Sequence, residues 1–318
     1  MKRSLLFVLA LVATVAQAQS YPNRPIRMVV PWPPGQATDL AGRLMAQKLS
    51  EALGQPIVVD NRPGAGGTIG TDNAAKSPPD GYTLLAGSSG PATVSPLLQK
   101  LPYDVEKQFT AVHLIGMSPY VLVAAPSLPA NSARELIDLL KANPGKYSFA
   151  SSGTGATAHL IAESFNAQAQ VKAVHVPYKG SSQALTDVMT GQIAYSIETL
   201  AATGPHFRAG KLKALGVSFE KGTSLAPGVP ALAQVAGMPG FDVGAWLGIL
   251  VPAGTPREIV NRLAAESSKI LQTADAREKL AAIGVEPIAK GPDEFAVYLK
   301  GESARFAAII KAGNIKLD

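Results

Sequence analysis

From Tyr21 onward, short apolar runs alternate with stretches whose apolar residues recur every three or four positions. That alternation marks an α/β fold. Ile26–Val30 reads as a buried strand, stopped by Pro31-Trp32-Pro33-Pro34-Gly35. A helix is expected to start at Thr38 or Asp39, both good N-caps. It would turn Leu40, Leu44, Met45 and Leu49 inward and end at Gly54. Ile57–Val59 then completes a βαβ unit, and Thr83–Ala86 reads as a third strand. The second half repeats this grammar. Ser132 and Glu135 form a capping box opening a helix that Asn143-Pro144-Gly145 closes. Tyr147–Ala150 predicts a strand, followed by a helix carrying His159, Leu160 and Ile161. Val171–Val176, a helix from about Ser182 to Thr190, and Ile193–Ile197 form another βαβ unit. Two helices near the C-terminus should start with Pro256 and Pro292 at their first positions.

Two extended apolar runs, Tyr120–Ala125 and Trp246–Val251, are candidates for crossings between two lobes. On that reading residues 122–248 form an inserted lobe, and 19–121 with 249–318 form the other. The first eighteen residues read as a leader instead of fold. Lys2 and Arg3 precede an apolar run from Leu5 to Val15, and Ala16-Gln17-Ala18 is a small-x-small cleavage pattern. The run is shorter than the roughly 20 residues that span a bilayer. An exported, soluble mature chain is therefore expected.

Composition narrows the chemistry. Of 318 residues, 47% are apolar and 16% charged, enough for a sizeable core. The absence of cysteine removes disulfides, thiolate metal sites and thiol nucleophiles. The four histidines (His113, His159, His175, His206) lack metal-ligand spacing, so no metal is expected. Without the leader, 27 basic residues face 23 acidic ones. That excess is too diffuse for nucleic acid, and aromatics are not interleaved with the basic residues. The spacing of Gly64, Gly66 and Gly70 is one residue off the dinucleotide fingerprint, and no G-x-S-x-G elbow occurs. No cofactor and no catalytic residue are expected, although an exported α/β hydrolase stands as the alternative from another class.

Three loops share one design, a strand followed by small hydroxyl or glycine residues and then a helix start. They are Pro34-Gly35-Gln36-Ala37-Thr38-Asp39, Gly87-Ser88-Ser89-Gly90 and Ser151-Ser152-Gly153-Thr154-Gly155. Ligands of open parallel sheets sit beyond the carboxyl ends of the strands, where helix-start N–H groups favour an anion. The pattern points to a small carboxylate held by neutral donors. Asp39 is expected to cap its own helix, and His159 stands one turn into the third helix.

The chain also resembles the substrate-binding (Bug-type) proteins of tripartite tricarboxylate transporters. The likeness rests on Tyr21–Gly35 with Asp39, Asn61–Gly67, Pro79–Leu85, Leu101–Asp104, Ala150–Gly153, Val174–Gly180, Ala209–Leu212 and Pro252–Pro256, in order along the mature chain. It implies a type II periplasmic-binding-protein-like fold, with two α/β lobes joined by two crossing strands around a ligand cleft. It further implies a periplasmic monomer that captures a small carboxylate or amino acid for a large and a small permease subunit. An orphan receptor feeding a signalling partner is the nearer alternative. The implied ligand set adds Tyr178, Gly180 and Glu198 to the loop residues. The chain departs from the family pattern at Gln36, where a second glycine is usual. It departs again at Ile197-Glu198-Thr199, in place of Phe-Asp-Asn, and at Gly90-Pro91-Ala92-Thr93.

Overall fold

The computed structural model describes residues 21–313 and 315, so the expected leader lies outside it. Strand β1 (Ile26–Val30) pairs in parallel with β2 (Ile57–Asn61) on one side and β3 (Thr83–Ser88) on the other. Burial on both faces explains why β1 and β3 read as largely apolar runs, broken in β1 only by the half-buried Arg27. Between β1 and β2 runs helix α1 (Ala37–Leu53), ended by Gly54 in the left-handed conformation with its N–H on the Ser50 carbonyl. Its N-cap is Gln36, two residues before the expected start. Asp39 instead reaches back from the first turn to accept from the N–H of Gly35 at 3.0 Å.

Strand β4 (Phe109–Ala124) is the spine of the molecule. Sixteen residues at roughly 3.3 Å each extend about 50 Å. Phe109–Pro119 pairs antiparallel with β9 (Gly244–Pro252), which also pairs with β3, giving a first sheet ordered β2-β1-β3-β9-β4. Tyr120–Ala124 belongs to a second sheet, flanked by β7 (Tyr195–Thr199) and β8 (Lys213–Val217). β5 (Ser148–Ser151) follows β7 and β6 (Val174–Pro177) forms the edge, both parallel to it. The Trp246–Val251 run is therefore a strand of the first sheet, and the return passage lies earlier, between Val217 and Gly244. Ser218 ties the two passages together. Its hydroxyl accepts from the N–H of Tyr120 and donates to the carbonyl of Val243.

The other helices of eight or more residues are α2 (Thr68–Ala75), α3 (Ala133–Ala142), α4 (Thr157–Ala169), α5 (Ser181–Met189), α6 (Leu200–Arg208), α7 (Arg257–Gln272), α8 (Ala274–Ala282) and α9 (Pro292–Gly313). Pro292 is the first residue of its helix as expected, whereas Pro256 is the N-cap of α7. Helix α8 and the strand β10 (Glu286–Lys290), which pairs with β4, were not anticipated. Gly116 is required where β4 meets β10, because a Cβ there would lie 2.3 Å from the Glu286 carbonyl.

One apolar cluster lies on each face of the first sheet, containing Met28 and Leu263 on one side and Trp246 and Phe295 on the other. A third fills the second lobe around Val121, Phe149, Phe165 and Tyr195. Phe306 and Ile315 belong to this third cluster. The last helix therefore starts in the first core and ends in the second.

Candidate functional site

Four helices begin at the mouth between the two sheets: α1, α4, α5 and α6. Their N-caps are Gln36, Ala156, Gly180 and Thr199, and none supplies a side-chain hydrogen bond to its own first turn. Elsewhere, Ser132 caps α3 and Thr273 caps α8, whereas α2 and α7 also start without a side-chain cap, after Gly67 and Pro256. Unused N–H groups and the positive ends of the helix dipoles thus converge on one region.

A narrow pocket lies there, with about 20 Å³ of room for a water-sized sphere. Its walls are Trp32, Gln36, Ala37, Thr38, Ser88, Ser89, Gly90 and Ala245 from the first lobe. Ser152, Thr157, Ser181, Glu198 and Thr199 come from the second, and Tyr120 from the point where β4 passes between them. This lining contains no Lys, Arg or His. Ser88 Oγ accepts from Trp32 Nε1 at 2.9 Å and Ser89 Oγ accepts from the N–H of Trp246 at 2.9 Å. Each hydroxyl is oriented by an acceptor role and keeps its own proton to donate.

Glu198 is buried on β7. Burial pushes its carboxyl up to about 7, against the pull of the Ser181 hydroxyl. Ser181 Oγ donates to its Oε2 at 2.6 Å. Its Oε1 is buried without a hydrogen-bond partner, and so are Gln36 Nε2 and Thr199 Oγ1. All three residues line the same pocket. Buried polar atoms are ordinarily satisfied, so three in one cavity mark a place built for an incoming group. Tyr120 stays neutral, its phenol raised by burial and then by the charge of Glu198.

Of the residues expected at the site, Gln36, Thr38, Ser88, Ser89, Ser152 and Glu198 line the pocket. The others stand behind it and shape its loops. Gly35 has a φ of +89° and donates to Asp39. Asp39 pairs with Arg43 at 3.0 Å and accepts from Asn61 Nδ2 at 2.8 Å. Ser151 Oγ bonds His175 Nε2 at 2.7 Å, and Tyr178 donates to Asp187. His159 Nδ1 accepts from the N–H of Gly155 while its ring stacks on His175, and burial holds the imidazole down to about 4, hence neutral. Gly153, Thr154 and Gly180 lie where the lobes touch. A Cβ on Gly66 would sit 2.9 Å from the Thr154 carbonyl, and one on Gly153 would sit 3.3 Å from the Gly66 nitrogen. A Cβ on Gly180 would come 2.6 Å from Pro33 Cγ and 3.0 Å from Gln36 Nε2. Ser95 Oγ adds a hydrogen bond to the Gly155 carbonyl at 3.0 Å.

Eight lining residues were not anticipated: Trp32, Ala37, Gly90, Tyr120, Thr157, Ser181, Thr199 and Ala245. Trp32, Ala37, Gly90 and Thr199 lie inside segments already singled out in the sequence, and Ser181 directly follows Gly180. Thr157 and Ala245 carry no local signal.

Two α/β lobes sharing a through-strand, with uncapped helix ends around a pocket between them, define the periplasmic-binding-protein class of fold. The chain belongs to the tripartite tricarboxylate transporter receptor family, whose sequence profile, "Tripartite tricarboxylate transporter family receptor", matches residues 41–315. BugT of Bordetella pertussis is 39% identical over 308 residues, covering 96% of this chain and 94% of BugT. Rpa4515 of R. palustris, solved with adipate, superposes with a TM-score of 0.90 at 34% identity, covering 93% of this chain and 99% of that one. MatC of Rhodopseudomonas palustris, solved with bound malate, gives 0.86 at 31% identity, covering 91% of this chain and 100% of MatC.

Proposed function

We propose that the protein is an exported, monomeric receptor that captures a small carboxylate-bearing solute between its lobes. It would hand that solute to a permease of one large and one small membrane subunit. The carrying observation is the pocket itself, where four uncapped helix starts and three unpartnered polar atoms meet without a cationic side chain. Helix N-termini bind anions through backbone N–H groups and the helix dipole, so such a pocket needs no ion pair to hold a carboxylate. The adipate and malate found with the two relatives support this ligand class. Residues 1–18 would direct export to the periplasm, and no helix among the described residues is long and apolar enough to cross a membrane.

Strand pairing supports a first lobe of residues 21–119 with 244 onward, and a second of 120–243, with α9 clamped across both. The two passages joined by Ser218 would serve as the hinge. A thermal-shift and calorimetry panel of mono- and dicarboxylates, amino acids and aromatic acids tests the reading. A ligand at 100 times its Kd stabilises by about 2.7 kcal/mol. Small-angle scattering should show compaction at saturation. Absence of any shift across the panel, or turnover of a panel member, would overturn the assignment.

A further inference from the structure

We propose that Glu198 selects the solute. Its ionised carboxylate receives an ammonium carried by the ligand while the helix starts hold that ligand's carboxylate, so the pocket takes a small amino acid in preference to the matching plain acid. This inference rests on the carboxylate-receptor reading and goes one step further, to the second pole of the ligand.

The pocket is chemically two-sided. Gln36 Nε2, the starts of α1, α4, α5 and α6, and the hydroxyls of Ser88 and Ser89 all present donors. Glu198 is the only acid in the lining, and one of its oxygens is already engaged by Ser181 at 2.6 Å. The other, Oε1, is buried without a partner and belongs to a pocket-lining side chain. A purely anionic ligand would put a second negative charge beside Glu198 with no cation nearby, which is costly in a buried site. A zwitterion removes that conflict, because its carboxylate meets the donors while its ammonium satisfies Oε1 and neutralises the acid.

The groups around Glu198 leave it as the one proton-sensitive member of the site. Tyr120 of β4 stays neutral. Ser181 of α5, Ser152 of the loop after β5 and Thr199 at the start of α6 carry no charge. His159 on α4 faces Gly155 and His175, with Glu163 3.8 Å from its Nε2. Since Glu198 titrates at about 7, it is about nine-tenths ionised at pH 8 and one-tenth at pH 6. Amino-acid affinity should therefore fall about tenfold between those pH values. Free amino acids keep their ammonium throughout, so the change belongs to the protein.

The test is titration calorimetry with matched pairs: propionate and alanine, succinate and aspartate, glutarate and glutamate, adipate and 2-aminoadipate, phenylpropionate and phenylalanine. In at least one pair the amino member should bind 10- to 150-fold tighter at pH 8, the range roughly expected of a charge-assisted hydrogen bond. Binding at pH 6, measured in buffers of different ionisation heat, should release close to one proton. Glu198→Gln should erase both the preference and the pH dependence, and should tighten plain-acid binding at pH 8 because the opposing charge is gone. If that variant fails to fold, the wild-type pH series and proton count still decide the matter. Plain acids that bind equally or more tightly, or proton uptake on binding, would overturn the role of Glu198 alone. Failure of every pair to bind would overturn the carboxylate-receptor reading itself.

Discussion

Glu198→Gln should stabilise the ligand-free protein at pH 8 relative to wild type, by a margin that shrinks toward pH 4. Burial moves this carboxyl from 4.5 to about 7. Below 4.5 it is protonated in both the folded and unfolded chains. As pH rises past 4.5 the unfolded chain ionises while the folded one holds its proton, so stability is lost until the folded group ionises near 7. At about 1.4 kcal/mol per pH decade, the full loss is about 3 kcal/mol. Glutamine keeps the acceptor facing Ser181 and has no charge to desolvate, so the variant escapes this loss. Urea denaturation of both proteins at intervals from pH 4 to 8 gives the difference directly. That difference must be the readout, because His159 pulls the wild-type profile the other way across the same interval. A difference that stays flat, or is largest in acid, would refute the desolvation argument and place Glu198 in a wetter environment than its burial indicates.

The imidazole of His159 is held down to about 4 by burial, so it contributes stability above its unfolded value of 6.5 that is lost as pH falls toward 4. His159→Gln should remove up to about 3 kcal/mol of acid sensitivity in the same titration, and an unchanged acid limb would count against a buried neutral ring. Gly180 has extended backbone, with a φ of 171°, so Gly180→Ala adds no backbone strain while pushing a methyl toward Pro33 and Gln36. The variant should keep its stability, bind ligand several-fold more weakly and compact less in scattering; unchanged affinity would mean that this contact does not limit closure. Phe306→Ala removes a buried ring from the second core and should cost about 3–5 kcal/mol in chemical denaturation. A loss below about 1 kcal/mol would show that the last helix is not anchored there.

The α/β alternation was legible because buried parallel strands read as apolar runs between glycine and proline breaks, as Ile26–Val30 does. The first half of β4 escaped this reading. Its register shifts at Ala111/His113 and Leu114/Gly116 disturb the two-residue period, and His113, Gly116 and Pro119 interrupt the apolar run. β10 is only partly buried and carries Glu286 and Lys290, so it lacks a strand pattern. At the site, the loops were legible but the direction of each side chain was not. Within one five-residue loop, Ser152 lines the pocket, whereas Ser151 turns to His175 and the carbonyl of Thr154 meets Gly66 after a φ of +134° at Gly153. Tyr120 and Thr157 are brought to the pocket only by the docking of two sheets, and no local pattern encodes that.

The through-strand and the last helix also govern when the molecule can exist at all. A ribosome or a translocation pore delivers the chain from its N-terminus, yet β3 and β4 find their shared neighbour β9 only when residues 244–252 emerge. The second core is sealed later still, by Phe306 and Ile315. Pairings this distant in sequence are slow to form and expensive in chain entropy until both partners are present. Neither half can therefore complete its core before residues 292–315 join it. The same segment, 292–315, completes both halves, which couples the final assembly of one to that of the other.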